Sequence, residues 1–262
     1  QPQLDSRVRQ LAAATANWKL HGAPFKNAMF YGPPGTGKTL AARQMAKYSG
    51  MDYAIMTGGD VAPLGADAVT RLHELFDWAE SSRNGMLLFI DEADAFLGVR
   101  GREGTSEGVR AAMNALLSRT GSQSTKIGLI LATNRPSDLD DAICDRMDEM
   151  MEFGLPGVHE RERIFRAHLL KYMKPPAGGG FFAKTVDPVT MEGIDEASFR
   201  EVAEATEGFS GRQLAKLAAS VQGAVFGSKE AVLTPDLLRE VLNVKLEEHT
   251  VREQLVKGEF GR

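Results

Sequence analysis

The sequence is poor in cysteine and contains no long apolar run. Cys144 is the only cysteine among the 262 residues, which excludes an internal disulfide. No stretch approaches the ~20 apolar residues that a membrane helix needs, and no signal or transit segment is visible. A net charge of −4 argues against bulk affinity for nucleic acid. With 43% hydrophobic and 25% charged residues, we expect a soluble globular chain.

One glycine-rich stretch indicates the chemistry. The pattern G-x-x-x-x-G-K-[ST], the phosphate-binding loop of nucleoside triphosphatases, is matched by Gly32, Pro33, Pro34, Gly35, Thr36, Gly37, Lys38 and Thr39. A short apolar run, Ala28–Tyr31, precedes it as a predicted strand, and helix-forming residues follow over Thr39–Lys47. Glycines let backbone N–H groups turn onto phosphate oxygens, and the helix N-terminus adds positive potential. The stretch predicts that a nucleoside triphosphate is bound by the loop and Leu40.

Two acids follow the most apolar stretch of the chain. Residues 86–90 are all apolar and lead directly into Asp91 and Glu92. A buried parallel strand of this kind delivers its last residues to the edge of the sheet where ligands bind. Asp91, with the Thr39 hydroxyl, is suited to hold Mg²⁺, and Glu92 is suited to orient and activate an attacking water.

Two further polar residues follow predicted strands or short helices. Asn134 comes directly after the apolar run 127–132, so it could touch the attacking water or the terminal phosphate, or simply begin the turn before Pro136. Arg146 precedes the last predicted strand, near residue 150, and is flanked by acids. From its neighbours alone, Arg146 is an acid-paired surface arginine.

The strand pattern stops near residue 155, which predicts two domains after an N-terminal helix. We expect a linker helix over 1–24, a large α/β nucleotide-binding domain over 25–154 and a small all-helical domain over 155–262. Ser210 with Gln213 forms a predicted capping box there. Because the chain begins with Gln1 rather than Met, we expect it to be a piece of a longer protein.

These motifs occur in the order seen in AAA+ ATPases, which the chain resembles over nearly its whole length. The resemblance is carried by five stretches, Gly32–Thr39, Leu87–Glu92, Thr133–Asn134, Asp145–Asp148 and Gly208–Arg212. A narrower likeness, over Ser49–Pro63 and Leu75–Ala79, is to a branch of the family at the mitochondrial inner membrane. The resemblance implies a P-loop α/β domain, a helical lid domain and a homo-oligomeric ring, usually a hexamer.

The resemblance also implies a role for several residues. Asn134 matches the residue called sensor 1, Arg146 the arginine finger that enters the neighbour's site, and Arg212 the sensor 2 position of the lid. A second finger, common in the family, is replaced here by Ile143. The loop that usually carries a substrate-gripping aromatic is Ala62–Gly65, which contains none.

We therefore expect Mg²⁺-dependent ATP hydrolysis that remodels a protein or membrane-associated client. The alternative is a nucleotide-gated scaffold at the inner membrane that does little mechanical work, which the missing loop aromatic favours. A third hypothesis, a nucleic-acid motor or clamp loader, is disfavoured by the acidic charge balance.

Overall fold

The computed structural model describes residues 2–22, 24–65, 67–95, 97, 107–120, 124–173, 190–228 and 230–257. The chain divides into two compact units, Gln1–Gly154 and Leu155–Arg262. In the described ranges, no helix is both long enough and apolar enough to cross a membrane.

The first unit is built on a parallel sheet whose described strands lie in the order β2-β3-β4-β1-β5. The strands are β1 (Ala28–Tyr31), β2 (Asp52–Thr57), β3 (Met86–Asp91), β4 (Ile127–Thr133) and β5 (Glu149–Glu152). The helices are α1 (Pro2–Ala16), α2 (Trp18–His21), α3 (Lys38–Ser49), α4 (Asp67–Ser81), α5 (Glu107–Arg119) and α6 (Asp141–Cys144). This arrangement confirms the predicted α/β sheet of a P-loop protein.

Helices cover both faces of the sheet because both faces are apolar. Side chains alternate along a strand, so Leu88 of β3 packs with Leu72 and Phe76 of α4 on one face. On the other face, Phe89 packs with Met45 of α3 and with Leu11 of α1. The N-terminal helix α1 is therefore part of the core of the first unit.

Parallel pairing places the functional loops together. β1 lies between β4 and β5, with Tyr31 opposite Thr133 on one side and opposite Glu152 on the other. β3 pairs with the other side of β4. All these strands run in the same direction, so the residues that follow β1, β3 and β4 meet at one edge of the sheet, the carboxyl edge.

The second unit is mainly helical, as predicted. Its elements are α7 (Val158–Met173), β6 (Thr190–Met191), α8 (Glu196–Ala205), α9 (Gly211–Gly227), β7 (Val232–Leu233) and α10 (Pro235–Lys257). Leu169 of α7, Val202 of α8, Leu217 of α9 and Leu238 of α10 share one buried core. The parallel pair β6–β7 is an addition to the predicted helices, since two-residue strands are too short to produce an alternating pattern.

Candidate nucleotide site

The phosphate loop lies at the carboxyl edge of β1 and depends on three glycines with positive φ. The φ angles are 137° at Gly32, 80° at Gly35 and 103° at Gly37. Gly32 is also required sterically, because a Cβ there would lie 2.3 Å from the carbonyl oxygen of Phe153. α3 begins directly after Gly37, so its first N–H groups face the loop and can bind an anion.

The buried side chain of Lys38 is the charged centre of this loop. Its ammonium donates hydrogen bonds to the carbonyls of Gly32 (2.7 Å) and Pro33 (2.9 Å) and to Oδ1 of Asn134 (2.8 Å). These three acceptors are neutral groups, and they hold the ammonium in place. The strand-tip residue Asn134, expected to contact water or phosphate, therefore contacts the lysine that would reach the phosphates.

Thr39 and Asp91 form a second pair at the same edge. The Thr39 hydroxyl donates to Oδ2 of Asp91 at 2.6 Å, and Oδ1 of Asp91 accepts from the N–H of Glu92 at 3.0 Å. A hydroxyl and a carboxylate oxygen are ligands that Mg²⁺ prefers, with water and phosphate oxygens completing its shell. The residues present therefore fit a magnesium ion bound together with a nucleotide.

Glu92 has an unusual backbone conformation. Its φ is +50°, and Ala231 is the only other non-glycine residue in the described ranges with positive φ. A conformation of this kind costs on the order of 1–3 kcal/mol and is common at functional sites. The side chain of Glu92 is exposed at the carboxyl edge, next to the Thr39–Asp91 pair.

The turn after Glu92 is tied to β4 by two residues that the sequence reasoning missed. The hydroxyl of Thr133 donates to Oδ1 of Asp94 at 2.7 Å and accepts from the N–H of Arg135 at 2.9 Å. Thr133 is buried at the end of its strand. The sequence offered one signal for the contact, since Asp94 and Thr133 each lie within two residues of a predicted site residue.

Arg146 lies away from this cluster, at the opposite edge of the sheet. Its carbonyl accepts from Nδ2 of Asn27 at 3.3 Å, and Asn27 immediately precedes β1. Gly32 lies five residue steps after Asn27 along the extended chain, about 16 Å at ~3.3 Å per residue. The Arg146 guanidinium donates from Nη1 to the carbonyl of Ala142 at 2.7 Å. In the part of the chain that the structure describes, its buried Nε has no hydrogen-bond partner.

Two other expected positions are well defined in the structure. Ile143, which stands where relatives commonly carry a second finger, is buried in the core of the first unit. The Ala62–Gly65 loop forms a 3-10 turn over Ala62–Leu64, and the Leu64 side chain is 41% exposed. Leu64 therefore presents an aliphatic side chain to solvent in this loop.

Arg212 belongs to the second unit, in the first turn of α9, and is exposed. Ser210 caps this helix: its hydroxyl accepts from the N–H of Gln213, and the Gln213 side chain accepts from the N–H of Ser210. This is the capping box that the sequence predicts. The first unit thus brings together Lys38, Thr39, Asp91, Glu92 and Asn134, while Arg146 and Arg212 lie on other parts of the fold.

Comparison with known proteins agrees with the AAA+ resemblance of the motifs. Residues 28–155 match the family described as "ATPase family associated with various cellular activities (AAA)". Over 98% of its length, the chain is 46% identical to ATPase family AAA domain-containing protein 3 of Bos taurus and 47% identical to ATPase family AAA domain-containing protein 3A of Homo sapiens. Over 89% of its length, it is 48% identical to ATPase family AAA domain-containing protein 3 of Caenorhabditis elegans.

The chain covers less than half of each of these relatives, 43% of the first two and 39% of the third. The similarity therefore concerns most of this chain and only part of each relative. Membership of this family supports nucleotide binding and, in general terms, an enzyme that hydrolyses nucleotides. From its motifs, its sheet and these matches, the chain belongs to the AAA family of ATPases.

Proposed function

We propose that this chain hydrolyses ATP at the boundaries between subunits of a ring and uses the reaction to remodel a protein or membrane-associated client at the mitochondrial inner membrane. One observation carries the shared-site part of the proposal. The phosphate loop and Arg146 lie at opposite edges of one sheet, so a subunit offers them to two different nucleotides. The client and the location rest on the resemblance to the mitochondrial branch of the family.

In this proposal, the carboxyl edge binds and orients the nucleotide. Lys38 supplies positive charge to the outer phosphates, and the N–H groups of Gly35, Gly37 and the first turn of α3 donate to phosphate oxygens. Asn134 holds the Lys38 ammonium in position through their 2.8 Å hydrogen bond. Thr39 and Asp91 would hold Mg²⁺, which neutralises phosphate charge when it is bound.

Glu92 directs the attacking water in line with the terminal phosphate. An exposed carboxylate at the sheet edge can accept a hydrogen bond from that water, as hydrolysis requires. Arg146 of a neighbouring subunit and Arg212 of the same subunit then stabilise the negative charge that develops on the transferred phosphoryl group. Head-to-tail contacts of this kind close into a ring, for which six subunits are usual in the family.

A scaffold is the second candidate, and the Ala62–Gly65 loop favours it. A loop that grips a threaded polypeptide usually offers an aromatic side chain, and this one offers Leu64. In a scaffold, ATP binding switches the chain between assembled and released states, with little mechanical work.

The deciding experiment measures steady-state ATPase rate per subunit against protein concentration, with particle mass recorded at each point. Wild type is compared with Glu92→Gln, which keeps the shape of the side chain and removes its charge. We expect the wild-type rate per subunit to rise as rings form, and the variant to lose roughly 10²–10⁴-fold in turnover while it still binds ATP. Negligible turnover of wild type in confirmed rings that bind ATP would favour the scaffold.

A further inference from the structure

A chain of side-chain hydrogen bonds links the start of α9 to α10. Oε1 of Gln213 accepts from the N–H of Ser210 (2.8 Å) and from its hydroxyl (2.9 Å). The side-chain amide nitrogen of Gln213 lies 2.9 Å from Nδ1 of His249, on α10. The capping box of α9 is therefore extended by one residue from a different helix.

A backbone N–H determines which groups donate and which accept in this series of hydrogen bonds. The N–H of Ser210 can only donate, so the Gln213 atom that faces it is the carbonyl oxygen. The other end of that amide is then the NH₂ group, which can only donate, and Nδ1 of His249 must accept. The capped state thus requires a histidine without a proton on Nδ1.

His249 is held against the same segment by packing. The centroid of its ring lies 4.5 Å from the centroid of the Phe209 ring, with an angle of 54° between the two planes. Only 16% of the His249 side chain is exposed, and its Nε2 lies 3.5 Å from a carboxylate oxygen of Glu253. Phe209 and Ser210 immediately precede α9, so His249 contacts both the apolar and the polar parts of the cap.

We propose that His249 is a positioning residue for Arg212, acting through Gln213 and the first turn of α9. This inference rests on the proposed role of Arg212 in sensing the terminal phosphate. Arg212 is one residue before Gln213, and in the described ranges no hydrogen bond joins it to His249, so the effect of His249 on Arg212 passes through the cap. The cap fixes the first turn of α9 and thereby limits the directions in which Arg212 can reach.

The test compares His249→Leu with His249→Asn. Leucine fills space beside Phe209 and cannot accept a hydrogen bond, whereas asparagine places an amide oxygen near the position of Nδ1 and can accept one from Gln213. Hydrogen exchange of the first-turn amides of α9 reports the cap directly. We expect His249→Leu to lower their protection roughly three- to tenfold, the range for one lost hydrogen bond, and His249→Asn to restore most of it.

Nucleotide affinity separates positioning from a general structural role. Dissociation constants for ATP and for ADP, each with Mg²⁺, are measured for wild type, both His249 variants and Arg212→Ala. Arg212→Ala should weaken ATP binding and leave ADP binding within about twofold of wild type, since only ATP carries the terminal phosphate. His249→Leu should reproduce part of that selective loss, and His249→Asn should reverse it.

A third variant tests the same link from the side of Gln213. In Gln213→Glu, the carboxylate can still accept from the N–H of Ser210, and it can accept from Nδ1 of His249 when the ring proton sits on that nitrogen, so protection of the first turn should persist. The charged groups near His249 are Glu253 at Nε2 and those that line the adjoining cavity, Lys216 of α9 with Lys245, Glu248 and Arg252 of α10.

Each result has a defined meaning. Unchanged protection in His249→Leu, or equal loss in the leucine and asparagine variants, would overturn the inference. Lost protection with an unchanged preference for ATP over ADP would also overturn it, provided that Arg212→Ala alters that preference. If Arg212→Ala does not alter it, the proposed role of Arg212 is wrong, and the exchange data alone decide whether His249 maintains the cap.

Discussion

The two edges of the sheet in the first unit differ in the groups that they carry and in the contacts that hold them. The carboxyl edge holds the Lys38 ammonium and the Thr39–Asp91 pair among buried or half-buried contacts. The opposite edge, where the strands begin, is the amino edge. It holds Arg146 beside Asn27, and there Glu149 pairs with two partly exposed cations. A single sheet can therefore separate phosphate binding from the arginine proposed to neutralise charge, by about the length of a strand.

In the proposed ring, this separation is the physical reason why hydrolysis would depend on assembly. An arginine at the far edge of the sheet cannot serve the nucleotide bound at the near edge of the same subunit. In a head-to-tail ring, the amino edge of one subunit can approach the carboxyl edge of the next.

The largest expected effect comes from removing the arginine at the amino edge. Arg146→Ala should lower turnover by roughly 10³–10⁵-fold in assembled rings, the typical contribution of an arginine finger, with ATP binding retained. Lys38→Ala should abolish binding at the carboxyl edge. Mixed rings of the two variants should regain part of the activity, because some boundaries then combine an intact loop with an intact arginine.

Arg135→Ala is the matched control for this experiment. Arg135 follows β4 at the carboxyl edge, and its side chain is 71% exposed and lies 3.9 Å from Asp138. Its removal should change turnover little. Mixed rings of confirmed composition that show no recovery would count against a role for Arg146 in the neighbour's site.

The fold was largely predictable because its signals are local. The phosphate loop has fixed spacing, and the buried strand Met86–Asp91 is too apolar to lie at a surface. The β6–β7 pair was missed because its two short strands lie about forty residues apart in the sequence.

The site was predictable in its parts and less so in its contacts. The motifs identified Lys38 and Asn134 separately, but no local pattern shows that an amide 96 positions away binds the ammonium. The Thr133–Asp94 bond depends in the same way on the pairing of β3 with β4. The location of Arg146 at the amino edge follows from β5 pairing beside β1, which only the folded sheet reveals.

A smaller effect is expected from the packing of the carboxyl edge. Gly32→Ala should destabilise the first unit by about 3 kcal/mol, since the new methyl group would overlap the Phe153 carbonyl and the residue would keep an unfavourable φ. Gly50→Ala is the control, because Gly50 also has positive φ (66°) but has open space around it. Gly50→Ala should lower the free energy of unfolding by about 1 kcal/mol. Urea unfolding measures both; equal losses would mean that the close approach at Gly32 relaxes freely.

The smallest effect concerns the amino edge, where Glu149 binds Arg7 at 2.9 Å and Lys26 at 3.0 Å. The hydrogen bond from Arg7, followed by that from Lys26, holds the pKa of Glu149 below its ordinary value. A carboxylate with a lowered pKa in the folded state adds stability that is present above the pKa of the unfolded chain. That stability is lost as the pH falls through the lower pKa of the folded state.

Glu149→Gln should therefore lower the free energy of unfolding at pH 7 by less than about 1 kcal/mol, because the side chains of both cations are about half exposed (47% and 55%) and water screens them. The difference from wild type should shrink as the pH falls below about 4 and the wild-type carboxylate becomes protonated. It should also shrink at high salt. Glu152→Gln, at the carboxyl end of the same strand, removes a similar charge as a control. A loss at Glu149 that exceeds 2 kcal/mol, or that does not depend on pH, would mean that the amino edge is held as tightly as the carboxyl edge, and the contrast between the two edges would then lie in their chemistry alone.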